Sequence, residues 1–208
     1  FPKATAKRAK IESGECQLIK ELNGNNRMVY NVICEYVKLQ TNYDADTADK
    51  SPIEFIELEK EHNILLPVEI GGKQLKIKFG GFIDRIDHTN GETRVIDYKT
   101  GSNEVECKLL EDVFVPANIQ DYKGILQTLI YCMMFDHDNP KHDVLAPYLF
   151  KTTKLGSGES FKVRSKGKGK GKNIETDAFA DGNYMRVADR VRDFMQQTLT
   201  AIFDAETP

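Results

Sequence analysis

Two aspartates and a lysine, Asp84, Asp97 and Lys99, stand where one tight hairpin would bring them together. Between the acids lies Asn90-Gly91, the dipeptide most strongly associated with two-residue type I′ turns, because both central residues there need positive φ. With that pair as the loop, positions equally distant from it face each other, and Asp84 and Asp97 are each six residues away. On that register their Cβ atoms lie about 4.5–5.5 Å apart across neighbouring strands. Lys99 follows Asp97 by two residues, so strand alternation sends it to the same face. Two carboxylates held so close repel unless a cation sits between them, and all-oxygen ligation suits magnesium or manganese better than zinc. Paired acids, a divalent cation and an amine are what metal-assisted phosphodiester hydrolysis requires.

Charged residues on a hairpin often do no more than face water. Here Phe82, Ile83, Ile86, Val95 and Ile96 mark both strands as substantially buried, and unpaired carboxylates in a buried sheet are costly. A function would explain that cost.

Downstream, residues 119–135 carry Tyr122, Leu126, Leu129, Ile130 and Met133 at helical spacing, giving one buried face. Gln120, Gly124, Gln127 and Tyr131 form a second, more polar stripe, either solvated surface or a face turned to the hairpin. In the second case Gln127 and Tyr131, four apart, suit hydrogen bonding to phosphate oxygens or bracing of the acidic strands.

The elements that must hold these residues can be read in order. Residues 1 to about 24 are polar and ambiguous. Met28, Val32, Ile33, Tyr36, Val37 and Leu39 predict a helix over 27 to about 41, followed by an Asp-rich connector over 41–51. Strand-like runs occupy 53–58, 64–70 and 73–87, with Gly71-Gly72 turning the last two into a hairpin. The strand over 95–98, a loop with Pro116 and the Gln127 helix come next. Strands over 144–150 and 161–163 and a closing helix over about 184–203 complete the chain. This order predicts an α/β fold with a restriction-endonuclease-like core, a mixed central β-sheet flanked by helices.

The length of 208 residues and 40% hydrophobic content fit a single domain over residues 1–208. No apolar run approaches the roughly 18 residues of a membrane span and no signal peptide is visible, so a cytoplasmic protein without a membrane partner is expected. The chain opens on Phe1 and stops at Pro208 just after an amphipathic segment, which reads as a piece excised from a larger protein. Net charge is −3, unlike a protein that coats DNA over a broad surface, though a local groove needs no globally basic exterior. The Lys-Gly alternation over 165–172 is either a solvated loop or a flexible phosphate contact. Cys16, Cys34, Cys107 and Cys132 include no C-x-x-C pair, so no zinc or iron–sulfur motif is evident.

The segment GGFIDRID, the segment VIDYKTG and the later Gln127-Thr128-Leu129-Ile130-Tyr131 together resemble the PD-(D/E)xK nucleases of the RecB type, which include the nuclease domains of RecB, AddA and AddB. The clear likeness runs from Phe79 to Tyr131. It implies that Asp84 and Asp97 hold Mg²⁺ or Mn²⁺, that the Tyr98 carbonyl completes the metal shell, that Lys99 assists the chemistry, and that Gln127 and Tyr131 position DNA or the catalytic strands. It further implies an exonuclease that trims single strands or duplex ends for recombinational repair, working with a helicase domain or subunit. Several relatives close the domain with a [4Fe–4S] centre; such a cluster is not expected in this chain and in a parent protein would draw on sequence outside it. Many also supply a metal-ligating histidine from an N-terminal helix, whereas His62, His88, His137 and His142 all lie elsewhere. That departure keeps open a metal-poor DNA-binding scaffold of a helicase complex. A structure-specific endonuclease is the other alternative. Glu57, Glu59 and Glu61 are auxiliary acids or a charged strand edge.

Overall fold

The computed structural model describes residues 23–101, 104–141, 144–155, 157, 160–167 and 178–203. Helix α1 (Gly24–Ala48) leads into a long antiparallel ribbon of β1 (Glu54–Ile70) and β2 (Lys73–Thr89). Gly71 and Gly72 turn it with φ of +55° and +74°, a conformation that glycine adopts at little steric cost. The short hairpin then delivers β3 (Glu92–Lys99). Its turn has φ +52° at Asn90 and +74° at Gly91, both positive as a type I′ turn demands.

After β3 come β4 (Glu106–Cys107), a single helical turn α2 (Leu110–Val113), the long α3 (Ile119–Asp138), β5 (Leu145–Lys151), β6 (Arg164–Ser165) and α4 (Ala188–Phe203). The main sheet has the order β1-β2-β3-β5, antiparallel up to β3 and parallel between β3 and β5. A parallel neighbour needs a crossover, and α3 supplies it. The central sheet is therefore mixed and flanked by helices.

Alternation along β3 divides the packing. Val95 faces the main core, where Ile86, Ile125, Leu129, Leu145, Leu149 and Val191 are buried together. Ile96 faces the other way, into a smaller cluster with Phe150, Leu155 and Phe161 that Leu39 and Tyr43 of α1 cover. Each such aliphatic side chain contributes about 1.5–3 kcal/mol on full burial, so both faces of β3 are anchored.

Several sequence expectations need correction. The Asp-rich stretch continues α1 to Ala48, because Asp44 finds a partner in Arg85 rather than water. The runs at 53–58 and 64–70 are one strand. Phe82 is exposed, while its neighbour Ile83 is buried. The buried face of α3 is broader than the apolar spacing indicates and takes in Gly124, Ile125, Thr128 and Cys132, whereas Tyr122, Leu126 and Ile130 are only partly covered. Residues 161–163 make one bridge, Lys162 to Tyr148, and the strand proper is β6. The closing helix begins with a 3₁₀ turn at Tyr184–Arg186. Cys16, His142 and Lys-Gly positions 168–172 lie outside the described residues. Among the described residues no helix is long and apolar enough to cross a membrane.

Candidate active site

The hairpin register places Arg85 opposite Ile96, Ile86 opposite Val95 and Asp87 opposite Arg94, the pairing expected from the turn. The same register continued would set Asp84 opposite Asp97, the pairing expected from the sequence, but the ladder ends at Arg85 and Ile96, so the two acids are not a ladder pair. The Tyr98 N–H donates instead to Asp84 Oδ2 at 2.8 Å, so the first acid is tied to the strand that carries the second.

A change of facing in β2 makes this possible. A Cβ on Gly81 would sit 3.6 Å from Tyr131 Cε1, so Gly81 looks toward α3. Arg85, of the same parity, reaches Asp44 of α1 on the opposite side. A regular strand would send both to one face; β2 therefore changes facing between them, and Ile83 and Ile86, of opposite parity, both lie in the main core. The partner strand is irregular at the same level, where Glu59 takes φ +48°.

At the C-terminal end of β3, Lys99 Nζ lies 2.7 Å from Asp97 Oδ2 and donates to Gln127 Oε1 at 2.8 Å. Gln127 Nε2 in turn donates to the Tyr131 hydroxyl at 2.6 Å. The four side chains form a connected series across β3 and α3, with both members of the polar stripe pair turned to the hairpin. Since the Tyr131 oxygen accepts from Gln127, its own proton is left for another acceptor. Burial raises that phenol above its ordinary value, the Gln127 hydrogen bond works the other way, and Asp97 and Asp84 add to the rise. Tyr131 is thus neutral at physiological pH.

Asp97 is almost wholly buried. Burial raises its carboxyl above the usual aspartate range, Lys99 opposes the rise, and Asp84 adds to it. The buried Oδ2 has the Lys99 ammonium at 2.7 Å as its ion-pair partner, and among the described residues no further hydrogen-bond donor reaches it. A buried carboxylate with one cationic neighbour and a second carboxylate close enough to raise its pKa fits a hard divalent cation. Among the described residues no group of three or more His, Cys, Asp and Glu side chains is arranged to hold a metal. The protein side chains on offer are the two aspartates, which matches a cation such as Mg²⁺ that keeps several waters.

Behind the site lies a buried charge network that sequence reasoning missed. Asp87 accepts from Arg94 at 2.6 and 2.8 Å and lies 2.6 Å from Arg85. Arg85 also grips Asp44 with two hydrogen bonds and donates to the Tyr98 hydroxyl. The available signal was the Asp-Arg-Ile-Asp spacing, in which Arg85 and Asp87 share a face with Arg94 opposite. His62 is buried between Glu57 and Asp138, at 2.7 and 3.1 Å. Glu57 is also paired with Lys60, and Glu61 accepts from Asn63, so these acids are engaged away from Asp97. His88 contacts Thr93 across the hairpin.

A cavity of about 570 Å³ between β1 and α4, lined by Val68, Glu69, Asp193 and Gln197, contains none of the candidate residues. A smaller groove of about 310 Å³ runs between β2 and α3 and includes Gln127 and Tyr131.

Comparison with known proteins gives one family. The model of the PD-(D/E)XK nuclease superfamily matches residues 9–208. No curated protein matches the chain.

Proposed function

The chain belongs to the PD-(D/E)XK nuclease superfamily, and from that premise we propose that it is a metal-dependent DNA exonuclease of the RecB and AddB type, acting on single strands or duplex ends. Nucleases of this superfamily generally use divalent metals such as Mg²⁺ or Mn²⁺. In this reading Asp84 and Asp97 hold the cation, with the Tyr98 backbone carbonyl as a third protein ligand. When bound, such a cation supplies Lewis acidity at the phosphate and a more acidic coordinated water.

The chain's own residues divide the remaining work. Lys99, positive and only partly exposed, orients the attacking water or stabilises charge building on the phosphoryl oxygens. Gln127 fixes the lysine, and the Tyr131 O–H is free to donate to a phosphate oxygen. Asp97 is withdrawn from solvent, and the lower effective dielectric of that environment strengthens its interactions with Lys99 and with a bound cation. The observation that carries the reading is the contact series from Asp97 through Lys99 and Gln127 to Tyr131. The likeness of GGFIDRID and VIDYKTG to RecB-type nucleases supports end processing in recombinational repair beside a helicase.

Labelled single- and double-stranded DNA, linear and circular, incubated with Mg²⁺ or Mn²⁺ tests it. Trimming from ends with circles left intact is the expected result. Cutting of circles would replace the exonuclease with an endonuclease, and binding without cleavage would leave a scaffold.

A further inference from the structure

The groove between β2 and α3 is apolar except at its edges. Phe79 and Gly81 form one wall, Leu126, Ile130 and Met134 the other, and Gln127 and Tyr131 are shared with the candidate site. Lys123 lines it on the exposed side of α3. Its volume of about 310 Å³ sits at the lower end of small-molecule clefts. That is room for one planar ring system and its sugar.

Gly81 is the informative residue. Its φ lies outside the left-handed region, so the backbone does not require glycine. A Cβ there would meet Tyr131 Cε1 at 3.6 Å and Met134 Cε at 3.9 Å, ordinary contacts rather than clashes. Neighbouring Gly80 differs, because a Cβ there would come within 2.6 Å of the His62 carbonyl oxygen. Packing demands glycine at 80. At 81 the missing side chain keeps the groove open.

We infer that this groove receives one unpaired nucleobase of the DNA strand, adjacent to the phosphate held by the Lys99, Gln127 and Tyr131 series; the inference rests on the nuclease reading of that series. The argument is chemical. Apolar walls offer nothing to phosphates, and the part of a nucleotide within reach of a bound phosphate that suits them is the base. A base in a duplex is stacked and paired, so one that leaves the stack comes from single-stranded DNA or a frayed end. Lys123 then meets the next phosphate along the strand. The substrate preference that follows is for single strands.

The test is equilibrium binding, by fluorescence anisotropy in Ca²⁺, of a short labelled single strand in which one abasic residue is walked along the sequence. The inference predicts a loss of about tenfold at one position, the order expected for one buried base. Gly81→Val, which fills the groove, should weaken binding of the intact strand similarly and leave binding of the strand abasic at that position unchanged. Lys123→Ala should lower the salt dependence for both strands. Equal affinity for every abasic position, or an equal loss by Gly81→Val on both strands, overturns the subsite. Cleavage in Mg²⁺ is read on the same proteins and strands. Abasic sensitivity without cleavage upholds the subsite and removes the nuclease reading; cleavage without abasic sensitivity does the reverse.

Discussion

Arg85 Nη1 stands 3.2 Å from the Tyr98 hydroxyl, so the residue between Asp97 and Lys99 is anchored from the far side of the sheet. Burial works against the Arg85 charge, but the Asp44 hydrogen bonds and Asp87 outweigh it and the guanidinium stays protonated. Tyr98 is likewise pushed up by burial, with Arg85 opposing. The strand end that presents both candidate catalytic groups is thus held by charges on α1 and β2.

Removing the arginine leaves the buried Asp87 with Arg94 as its remaining cation and takes from the partly buried Asp44 its guanidinium partner. Arg85→Met is expected to cost about 3–5 kcal/mol, as breaking one side of a buried ion pair does. Tyr98→Phe loses one hydrogen bond and should cost about 1 kcal/mol. Urea denaturation measures both, and equal small losses would show that the network does not support the strand.

The hairpin was legible because its determinants are local. Asn90-Gly91 specifies the turn and the register from Thr89 to Arg85, and alternation sets Lys99 beside Asp97, whereas counting alone does not place Asp84, where the ladder has ended. The placement of Gln127 and Tyr131 followed from helical spacing once the hairpin gave them something to face. What could not be read was non-local. Asp44 reads as part of a polar connector until Arg85, 41 residues away, is known to meet it. The facing change in β2 between Gly81 and Arg85 has no sequence mark, and Glu59, at φ +48° on the partner strand, is not a residue type that announces such a conformation. His62, between Glu57 and Asp138, is assembled from two elements far apart in sequence.

Tyr131 accepts a hydrogen bond from Gln127 and keeps its proton for the substrate. Tyr131→Phe should therefore lower kcat by on the order of 10²-fold, the scale of losing one transition-state donor, with little change in stability. Gln127→Leu should also lower kcat, since Lys99 loses its partner on α3. Steady-state cleavage rates check both; wild-type rates in either variant would remove that residue from the site.

Stability should carry a modest acid dependence from Glu106, which joins Arg164 at 2.9 Å and Lys166 at 2.7 Å. Burial tends to raise its carboxyl, but the hydrogen bonds from Lys166 and Arg164 win and hold it below the usual glutamate range. Because the folded value is depressed, this stabilisation is present above the unfolded value of about 4.3 and is lost as pH falls through the folded one. The pairs are partly exposed and screened, so Glu106→Gln should cost no more than about 1 kcal/mol at pH 7. That difference should disappear in strong acid, as denaturation curves across pH would record.

The central claim is that the carboxylates joined to Lys99 and to the Tyr98 amide perform metal-dependent cleavage of DNA. The direct measurement is the cleavage rate of an end-labelled strand in Mg²⁺ and in excess chelator, for the wild-type chain and for Asp97→Ala. Cleavage that requires the cation and falls by at least about 10³-fold in the variant is the expected result. Cleavage that persists in chelator, or that Asp97→Ala leaves intact, would contradict the account.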